Sequence, residues 1–526
     1  MPESLSSSKQ SLQQSNFLSS RCILAQVTVA LCGTIMTINL SAMTSTITIV
    51  NGVLLKSESS FNKTNNNSEF SFNKTNNNST NSDNFPITSA EASLYGTLQL
   101  IVHFIAGVLS GIIQDKFGRR NCLLVSILPQ ICSWIMLYYA VNVYCLYVHA
   151  ILIGLSTAFS EQTIITYVGE ISNVKLRGRL FSIGKLGYGF GSFLIFLLNS
   201  FLSWRKLALV TMVLPLFTMF YILCLPESPI WLLSKGRVNQ CRKSLRWLNG
   251  WTTDVAIEQE FTELQNYVNE SNKFGVLPTN KVQSKITRKN AFQQFNENYL
   301  KLFFQPEFIQ PYKIVMVIFV SSYFLSLRPA KFYFINILKT LEVPATDQTK
   351  IMSVSSLCQM VGSITLAFTI RKFGKRWLIL WTFTITGLGL FLFGVYSYAH
   401  FHYKFSAIWI LYIACGLNYY FAGYTLGGMP WFITAEIFPQ KIRGVAGGIT
   451  GTSAHIIVSI LTQSYLFIEK LITVKNVFFT YAIISFLCIV YIYKNLPETE
   501  NKSLQEIEEY FKNKNKNRNR NNLPIN

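Results

Sequence analysis

The chain has 526 residues, of which half are hydrophobic, 14% are aromatic and only 13% are charged. Soluble globular domains carry about 25% charged residues, so this composition excludes an ordinary soluble fold and predicts a protein that crosses a membrane many times. The formal net charge is +21, but Lys and Arg lie in the short segments between apolar runs. That distribution is the positive-inside pattern of membrane proteins, and it speaks against nucleic-acid binding.

Catalytic and metal-binding motifs are missing from the sequence. The ten cysteines form no C-x-x-C pair, so neither a zinc site nor a disulfide framework is predicted. There is no P-loop, no H-E-x-x-H and no G-x-S-x-G in a suitable context. We therefore expect no enzyme activity, no cofactor and no metal.

The first half of the chain contains six apolar runs between residues 22 and 225. Residues 1–21 are polar and predict a cytoplasmic tail. Each run suits a membrane-crossing helix of about 20 residues, and the first is too long for a cleavable signal peptide. In chain order, spans 1–6 are predicted at about Cys22–Val50, Ala92–Ile113, Asn121–Ala140, Tyr144–Val168, Leu180–Leu202 and Lys206–Leu225.

An Asn-rich loop at residues 51–89 separates spans 1 and 2. It contains the sequence FNKTNNNS twice, at Phe61–Ser68 and Phe72–Ser79. We expect this loop to be extracellular. Two interpretations remain open, because an exposed loop could be glycosylated and an Asn-rich segment also produces such triplets by chance. The candidate acceptors are Asn62, Asn66, Asn73, Asn77 and Asn78.

Residues 226–311 interrupt the apolar pattern and predict an intracellular helical linker. Helical periodicity with mixed charge runs through Val238–Val268. Residues 312–494 then hold six more spans, and residues 495–526 form a predicted cytoplasmic tail with a basic end. Spans 7–12 are predicted at about Tyr312–Leu338, Thr349–Ile370, Trp377–Ser397, Phe405–Ile433, Val445–Glu469 and Val474–Lys494.

Three motifs recur at corresponding positions of the two halves. The turn GIIQDKFGRR at Gly111–Arg120 has a degraded copy, RKFGKR, at Arg371–Arg376. EISNVKLRG at Glu170–Gly178 matches EIFPQKIRG at Glu436–Gly444, and PESP after span 6 matches PETE after span 12. Two related halves with a site between them are typical of transporters that work by alternating access.

These motifs, with Pro430–Trp431 and the P-E-T…K-S-L-x-E-I-E segment at Pro497–Glu508, carry a family resemblance. The chain resembles the sugar porters of the major facilitator superfamily over nearly its whole length, and among them the facilitated trehalose transporters. The resemblance implies an all-α membrane protein with twelve transmembrane helices in two six-helix halves. It also implies a plasma-membrane monomer in the lipid bilayer, with both termini cytoplasmic, that transports a sugar such as trehalose or glucose.

The resemblance also implies roles for charged residues at the inner rim. They would close the inner side by ion pairs that form in one state and separate in the other. Alternatively, these charges merely cap helices and anchor loops. The gating candidates are Asp115, Arg119, Arg120, Glu170 and Arg177 in the first half, with Glu436 and Arg443 in the second.

The sugar site departs from the family pattern. In span 7 the usual Gln pair becomes Ser322 and Tyr323, and the usual Asn becomes Arg328. In span 5 Lys185 replaces a sugar-binding Gln. Span 10 keeps Trp431, with Asn418 among its polar residues. The candidate substrate-binding residues are Lys185, Ser322, Tyr323, Arg328, Asn418 and Trp431.

Charges at membrane depth are costly and usually functional, and here they are Glu161, Lys185, Arg328 and Lys331. They could pair with one another, for example Glu161 with Lys185, or snorkel in a divergent sugar porter. They could instead line a cationic cavity for an anionic or hydrogen-accepting solute, or carry a proton cycle through Glu161. A nutrient sensor without transport is a further alternative. We expect the span histidines to be structural core residues; they are His103, His149 and His455.

Overall fold

The computed structural model describes residues 20–55, 85–171, 177–273, 306–404, 407–438, 443–498, 506 and 510–511. These residues are almost entirely helical, with one isolated parallel bridge between Leu55 and Ile87. The five candidate glycosylation sites, most of both tails and part of the linker lie outside the described residues.

The helices of the first half coincide with the predicted spans. Span 2 begins at a capping box, in which Thr88 Oγ1 accepts from the Glu91 amide and the Glu91 carboxylate accepts from the Thr88 amide. Span 6 consists of two short helices that meet at Met212. The bounds of spans 1–6 are Ser20–Leu54, Ser89–Phe117, Arg119–Tyr138, Val143–Ile171, Arg177–Asn199, and Trp204–Thr211 with Val213–Leu223.

The second half contains two broken spans where the sequence predicted continuous helices. Span 7 is helical over Pro306–Leu325, passes through a 3₁₀ turn at Lys331–Tyr333 and ends with the helix Phe334–Thr340. Span 10 contains a π-helical turn, an insertion that proteins often use at functional sites. The remaining bounds are Ala345–Phe373 for span 8, Lys375–Tyr403 for span 9, Ile408–Phe421, Ala422–Leu426 and Met429–Ile437 for span 10, and Arg443–Asn495 for spans 11 and 12, which divide at Thr473.

Eight helices of the described chain are long and apolar enough to cross a membrane. The bent pair Ser89–Gly107 and Leu109–Phe117, which forms span 2, makes a ninth. Span 5 contributes a shorter apolar helix, Leu186–Asn199. Large apolar side chains such as Phe201 and Phe368 are exposed on the outside of the bundle, as expected of a surface that faces lipid.

We call the face of the bundle that carries the turns Gly111–Arg120 and Arg371–Arg376 the basic face. The two halves contact each other at the opposite face. At the opposite face Thr48 Oγ1 donates to the carbonyl of Lys331 at 3.1 Å, and Ser93 Oγ donates to the carbonyl of Gln463 at 2.8 Å. Polar contacts of spans 1 and 2 with spans 7 and 11 thus close this face of the bundle.

A small helical cluster covers the basic face of the first half. Its helices are Pro229–Ser234, Val238–Leu248 and Asp254–Lys273. Trp231 is buried at the centre of the cluster, and its indole N–H donates to the carbonyl of Asp115 at 3.0 Å. This one side chain therefore fixes the linker to the end of span 2.

Replacing Trp231 with Ala tests that role. The change leaves a cavity in the cluster and an unpaired carbonyl, and such truncations cost about 3–5 kcal/mol. We expect a clear fall in the apparent melting temperature of the purified protein. Trp251→Ala is the matched control, because Trp251 is 59% exposed on the same linker. Equal melting temperatures for the two variants would contradict this role.

Candidate functional site

The first basic turn is stabilised by a carboxylate from the PESP motif. Gly118 has φ 97°, and a Cβ there would lie only 2.5 Å from Glu227 Oε2. Glu227 Oε1 accepts the backbone N–H groups of Arg119 at 2.9 Å and Arg120 at 3.0 Å. The carboxylate thus lies at the N-terminus of span 3, where the helix dipole and unpaired amides favour an anion.

The second basic turn repeats this geometry with a carboxylate from the PETE motif. Gly374 has φ 75°, and a Cβ there would lie 2.7 Å from Glu498 Oε2. The Glu498 carboxylate accepts the backbone N–H groups of Lys375 at 3.0 Å and Arg376 at 3.1 Å. The sequence analysis matched PESP with PETE and the first turn with the second, but it did not predict that each carboxylate binds the turn of its half.

Each turn also presents a buried cation to a carboxylate from the end of the fourth span of its half. Arg119 Nη2 lies 2.8 Å from Glu170 Oε1, and Arg119 Nη1 lies 3.3 Å from Asp115 Oδ1. In the second half Lys375 Nζ lies 2.5 Å from Glu436 Oε1. The sequence expectation did not include Lys375, which occupies the place of Arg119.

In each turn the arginine that comes directly after this buried cation contacts the sixth span of its half. Arg120 Nη2 donates to the carbonyl of Leu223 at 2.6 Å, and Arg376 Nη2 donates to the carbonyl of Tyr493 at 2.7 Å. Each cluster therefore ties the third, fourth and sixth spans of its half together at the basic face, and in the first half Asp115 adds the end of the second span. Arg177 and Arg443 begin spans 5 and 11, but their side chains lie outside the described part of the structure.

Three of the candidate binding residues belong to span 7, and Asn418 and Trp431 of span 10 contact that span. Asn418 Nδ2 donates to the carbonyl of Leu325 at 2.7 Å, so this amide supports the end of the helix. Ser322 Oγ and Asn418 Oδ1 are buried and have no hydrogen-bond partner among the described residues. Trp431 packs edge-on against Phe319, with ring centroids 5.0 Å apart. The side chain of Lys185 lies outside the described residues.

The cations of span 7 lie against aromatic rings. The guanidinium carbon of Arg328 lies 5.5 Å from the centroid of the Tyr323 ring. Lys331 Nζ lies 5.1 Å from the centroid of the Tyr188 ring and 3.5 Å from its hydroxyl oxygen. The sequence left open that these cations pair with Glu161 or snorkel, and the structure instead shows them in contact with aromatic rings. Cation–π attraction stabilises a positive charge without neutralising it.

Two histidines expected in the core meet at the interface between the halves. The rings of His103 in span 2 and His455 in span 11 are stacked, with centroids 4.5 Å apart and planes 13° apart. Glu161 Oε2 of span 4 lies 3.7 Å from His103 Nε2. His149 instead contacts the hydroxyl and carbonyl of Ser133 inside its own half, as expected of a core histidine. Sequence reasoning missed the pairing because its members come from distant spans.

Replacing Glu170 with Gln tests the buried ion pair. The side chains of Arg119 and Glu170 are only 10% and 15% exposed, and removing one partner of a buried pair costs about 3–5 kcal/mol. We expect a lower melting temperature and slower transport. Glu263→Gln, on the exposed side of a linker helix, is the control and should match the wild type. Unchanged stability of Glu170→Gln would show that the pair is dispensable.

Known proteins share both the sequence pattern and the architecture. The family model for "Sugar (and other) transporter" matches residues 26–511. A facilitated trehalose transporter Tret1 of Apis mellifera ligustica is 25% identical over 430 residues, 81% of each chain. The putative sugar transporter ERD6-like 13 of Arabidopsis thaliana is 28% identical over 427 residues, 80% of this chain and 81% of the relative.

Solved structures of the xylose transporter XylE confirm the expected all-α fold with twelve transmembrane helices. The inward-open form from E. coli superposes with a TM-score of 0.67 at 16% identity, covering 93% of this chain and 99% of that one. The form bound to 6-bromo-6-deoxy-D-glucose gives 0.66 at 18%, covering 94% and 100%. The chain is thus a multi-pass membrane protein of the major facilitator fold, and it belongs to the sugar (and other) transporter family.

Proposed function

We propose that this protein carries a sugar such as trehalose or glucose down its gradient across the plasma membrane by alternating access. The family supports a sugar, and two of the relatives it resembles are named for trehalose and for sugar transport. The observation that carries the proposal is the repeated cluster at the basic face, combined with closure of the opposite face. Two internally braced halves that meet at one face can rock about the site between them.

In this proposal the gating candidates brace each half from within, and the gate itself consists of the contacts between the halves. Asp115, Arg119, Arg120 and Glu170 act with Arg177 in the first half, and Glu436 acts with Arg443 in the second. Their bonds keep the ends of neighbouring helices together within each half. Transport then requires that contacts between the halves, rather than those inside a half, break and form again.

The substrate site in this proposal lies at the break in span 7. Lys185, Ser322, Tyr323, Arg328, Asn418 and Trp431 form it. The unpartnered Ser322 hydroxyl can donate and accept, Asn418 Oδ1 can accept, and Arg328 can donate, which together suit sugar hydroxyls. The rings of Tyr323 and Trp431 supply apolar faces for a sugar ring.

The proposed topology assigns the basic face to the cytoplasm. Residues 22–225 and 312–494 form the two halves, the linker 226–311 and the tails 1–21 and 495–526 are cytoplasmic, and the loop 51–89 is extracellular. The excess of Lys and Arg in the turns supports this orientation. The protein works as a monomer with its sugar and the lipid bilayer as partners, and it performs no covalent chemistry.

Uptake into a transport-null cell tests the proposed substrate class. Radiolabelled trehalose, glucose and a small organic anion are compared at equal surface expression. We expect saturable sugar uptake that exceeds anion uptake. We expect Trp431→Ala to reduce sugar uptake about tenfold, because one good stacking contact contributes about 1.4 kcal/mol. Trp409→Ala is the control, since Trp409 in the same span is 64% exposed to lipid. Preferential anion uptake would overturn the sugar assignment.

The orientation has its own test in the Asn-rich loop. If residues 51–89 face outward, peptide N-glycosidase treatment should increase gel mobility of protein made in a glycosylating host. A variant with Gln at Asn62, Asn66, Asn73, Asn77 and Asn78 should run at the treated position without enzyme. Unchanged mobility would remove this support for an extracellular loop.

A further inference from the structure

We propose that His103, Glu161 and His455 form a binding site for a single proton at the interface between the halves, and that this proton stabilises the state closed at the opposite face. His103 and Glu161 belong to spans 2 and 4 of the first half, and His455 belongs to span 11 of the second. The site adjoins the proposed sugar site through Trp431 and Arg328, but it does not depend on the identity of the sugar.

The acceptors around each ring determine where its existing proton lies. Thr157 Oγ1 donates to the carbonyl of Gly154 at 3.0 Å, so it accepts at its 3.0 Å contact with His103 Nδ1. His455 Nδ1 lies 2.8 Å from the carbonyl of Gly451, which can only accept. Both Nδ1 atoms therefore carry hydrogen, and in the neutral rings both Nε2 atoms present a lone pair.

The lone pair of His103 Nε2 faces a carboxylate. His103 is only 7% exposed, and its Nε2 has no hydrogen-bond partner within the described chain, while Glu161 Oε2 lies 3.7 Å away. Two acceptors that face each other repel, and one added proton converts the contact into an N–H⁺···O⁻ bond. Charge-assisted bonds of this kind are among the strongest hydrogen bonds in proteins.

The surrounding charges limit the site to one proton. Burial has the largest effect on both rings and disfavours a charge on either of them. Glu161 from span 4 counteracts burial by attracting a proton to either ring, whereas Arg328 from span 7 opposes a proton on either ring. Trp431 of span 10 is uncharged and lies 6.1 Å from the His455 ring. Once one ring is protonated, the other ring has two positive neighbours, the imidazolium and Arg328, and only one carboxylate, Glu161.

A single proton also strengthens the contact between the halves. An imidazolium stacked on a neutral imidazole gains attraction from the electrons of the neutral ring, whereas two imidazoliums repel. Because the stack joins span 2 to span 11, a proton that improves it favours the conformation in which the stack exists. Proton binding thus adds a pH-dependent contact between the moving halves.

Trp431 fluorescence measures proton binding without any sugar. A protonated imidazole quenches a nearby indole, so the purified protein in detergent is titrated from about pH 8.5 to about pH 3. This range extends below ordinary histidine titration because both rings are buried. The Trp431 signal is the difference between wild type and Trp431→Phe. We expect one quenching transition, its loss in His103→Gln and in His455→Gln, and a midpoint at least about 1 pH unit lower in Glu161→Gln.

The control is His402→Gln, which removes an exposed histidine at the end of span 9 and should leave the transition unchanged. Sugar exchange in proteoliposomes with equal pH on both sides provides the second readout, and its pH dependence should be absent from His103→Gln. A wild-type protein without a transition, a midpoint insensitive to Glu161→Gln, or the same pH dependence in His103→Gln would overturn the proposal. Because the fluorescence needs no substrate, a failure to transport sugar would count against the proposed function alone.

Discussion

The structure depends on two carboxylates that bind the first amides of spans 3 and 9. Glu227 and Glu498 each accept two backbone N–H groups, at 2.9–3.0 Å and 3.0–3.1 Å. A helix N-terminus at the membrane surface leaves amides that need acceptors, and a carboxylate satisfies them while complementing the helix dipole. Only glycine leaves space for it, because a Cβ at Gly118 or Gly374 would lie within 2.7 Å of a carboxylate oxygen.

This arrangement gives each half a rigid end at the basic face and leaves motion to the contacts between the halves. Arg119 with Glu170, and Lys375 with Glu436, extend each cluster to the fourth span of its half. The polar contacts between the halves at the opposite face are single hydrogen bonds, each weak enough to exchange. Strong bonds within halves and weak bonds between them are what alternating access requires.

Much of the fold could be predicted because its signals are local. Apolar runs gave the spans, and the paired motifs indicated two related halves. The break in span 7 had a signal in the sequence that the prediction of a continuous helix missed, because Pro329 directly follows Arg328 and disfavours helix there. The support that Asn418 from another span gives to the broken end could not be predicted. The contact of Glu227 with Gly118, and of His103 with His455, joins residues far apart in sequence, and no local pattern encodes such proximity. The candidate residues Ser322, Tyr323 and Arg328 were located from register alone. Of these, Tyr323 packs against Phe319, which in turn packs against Trp431.

The central claim is that the contact between spans 1 and 7 at the opposite face must open during transport. Paired cysteines at Gly52 and Ile335 measure this directly, because a Cβ at Gly52 would lie 2.9 Å from the Ile335 Cβ. Sugar uptake by the double variant is compared before and after oxidation, with each single variant as the control. The account predicts that oxidation abolishes uptake in the double variant alone and that a reductant restores it. Full uptake by cross-linked protein would contradict the account.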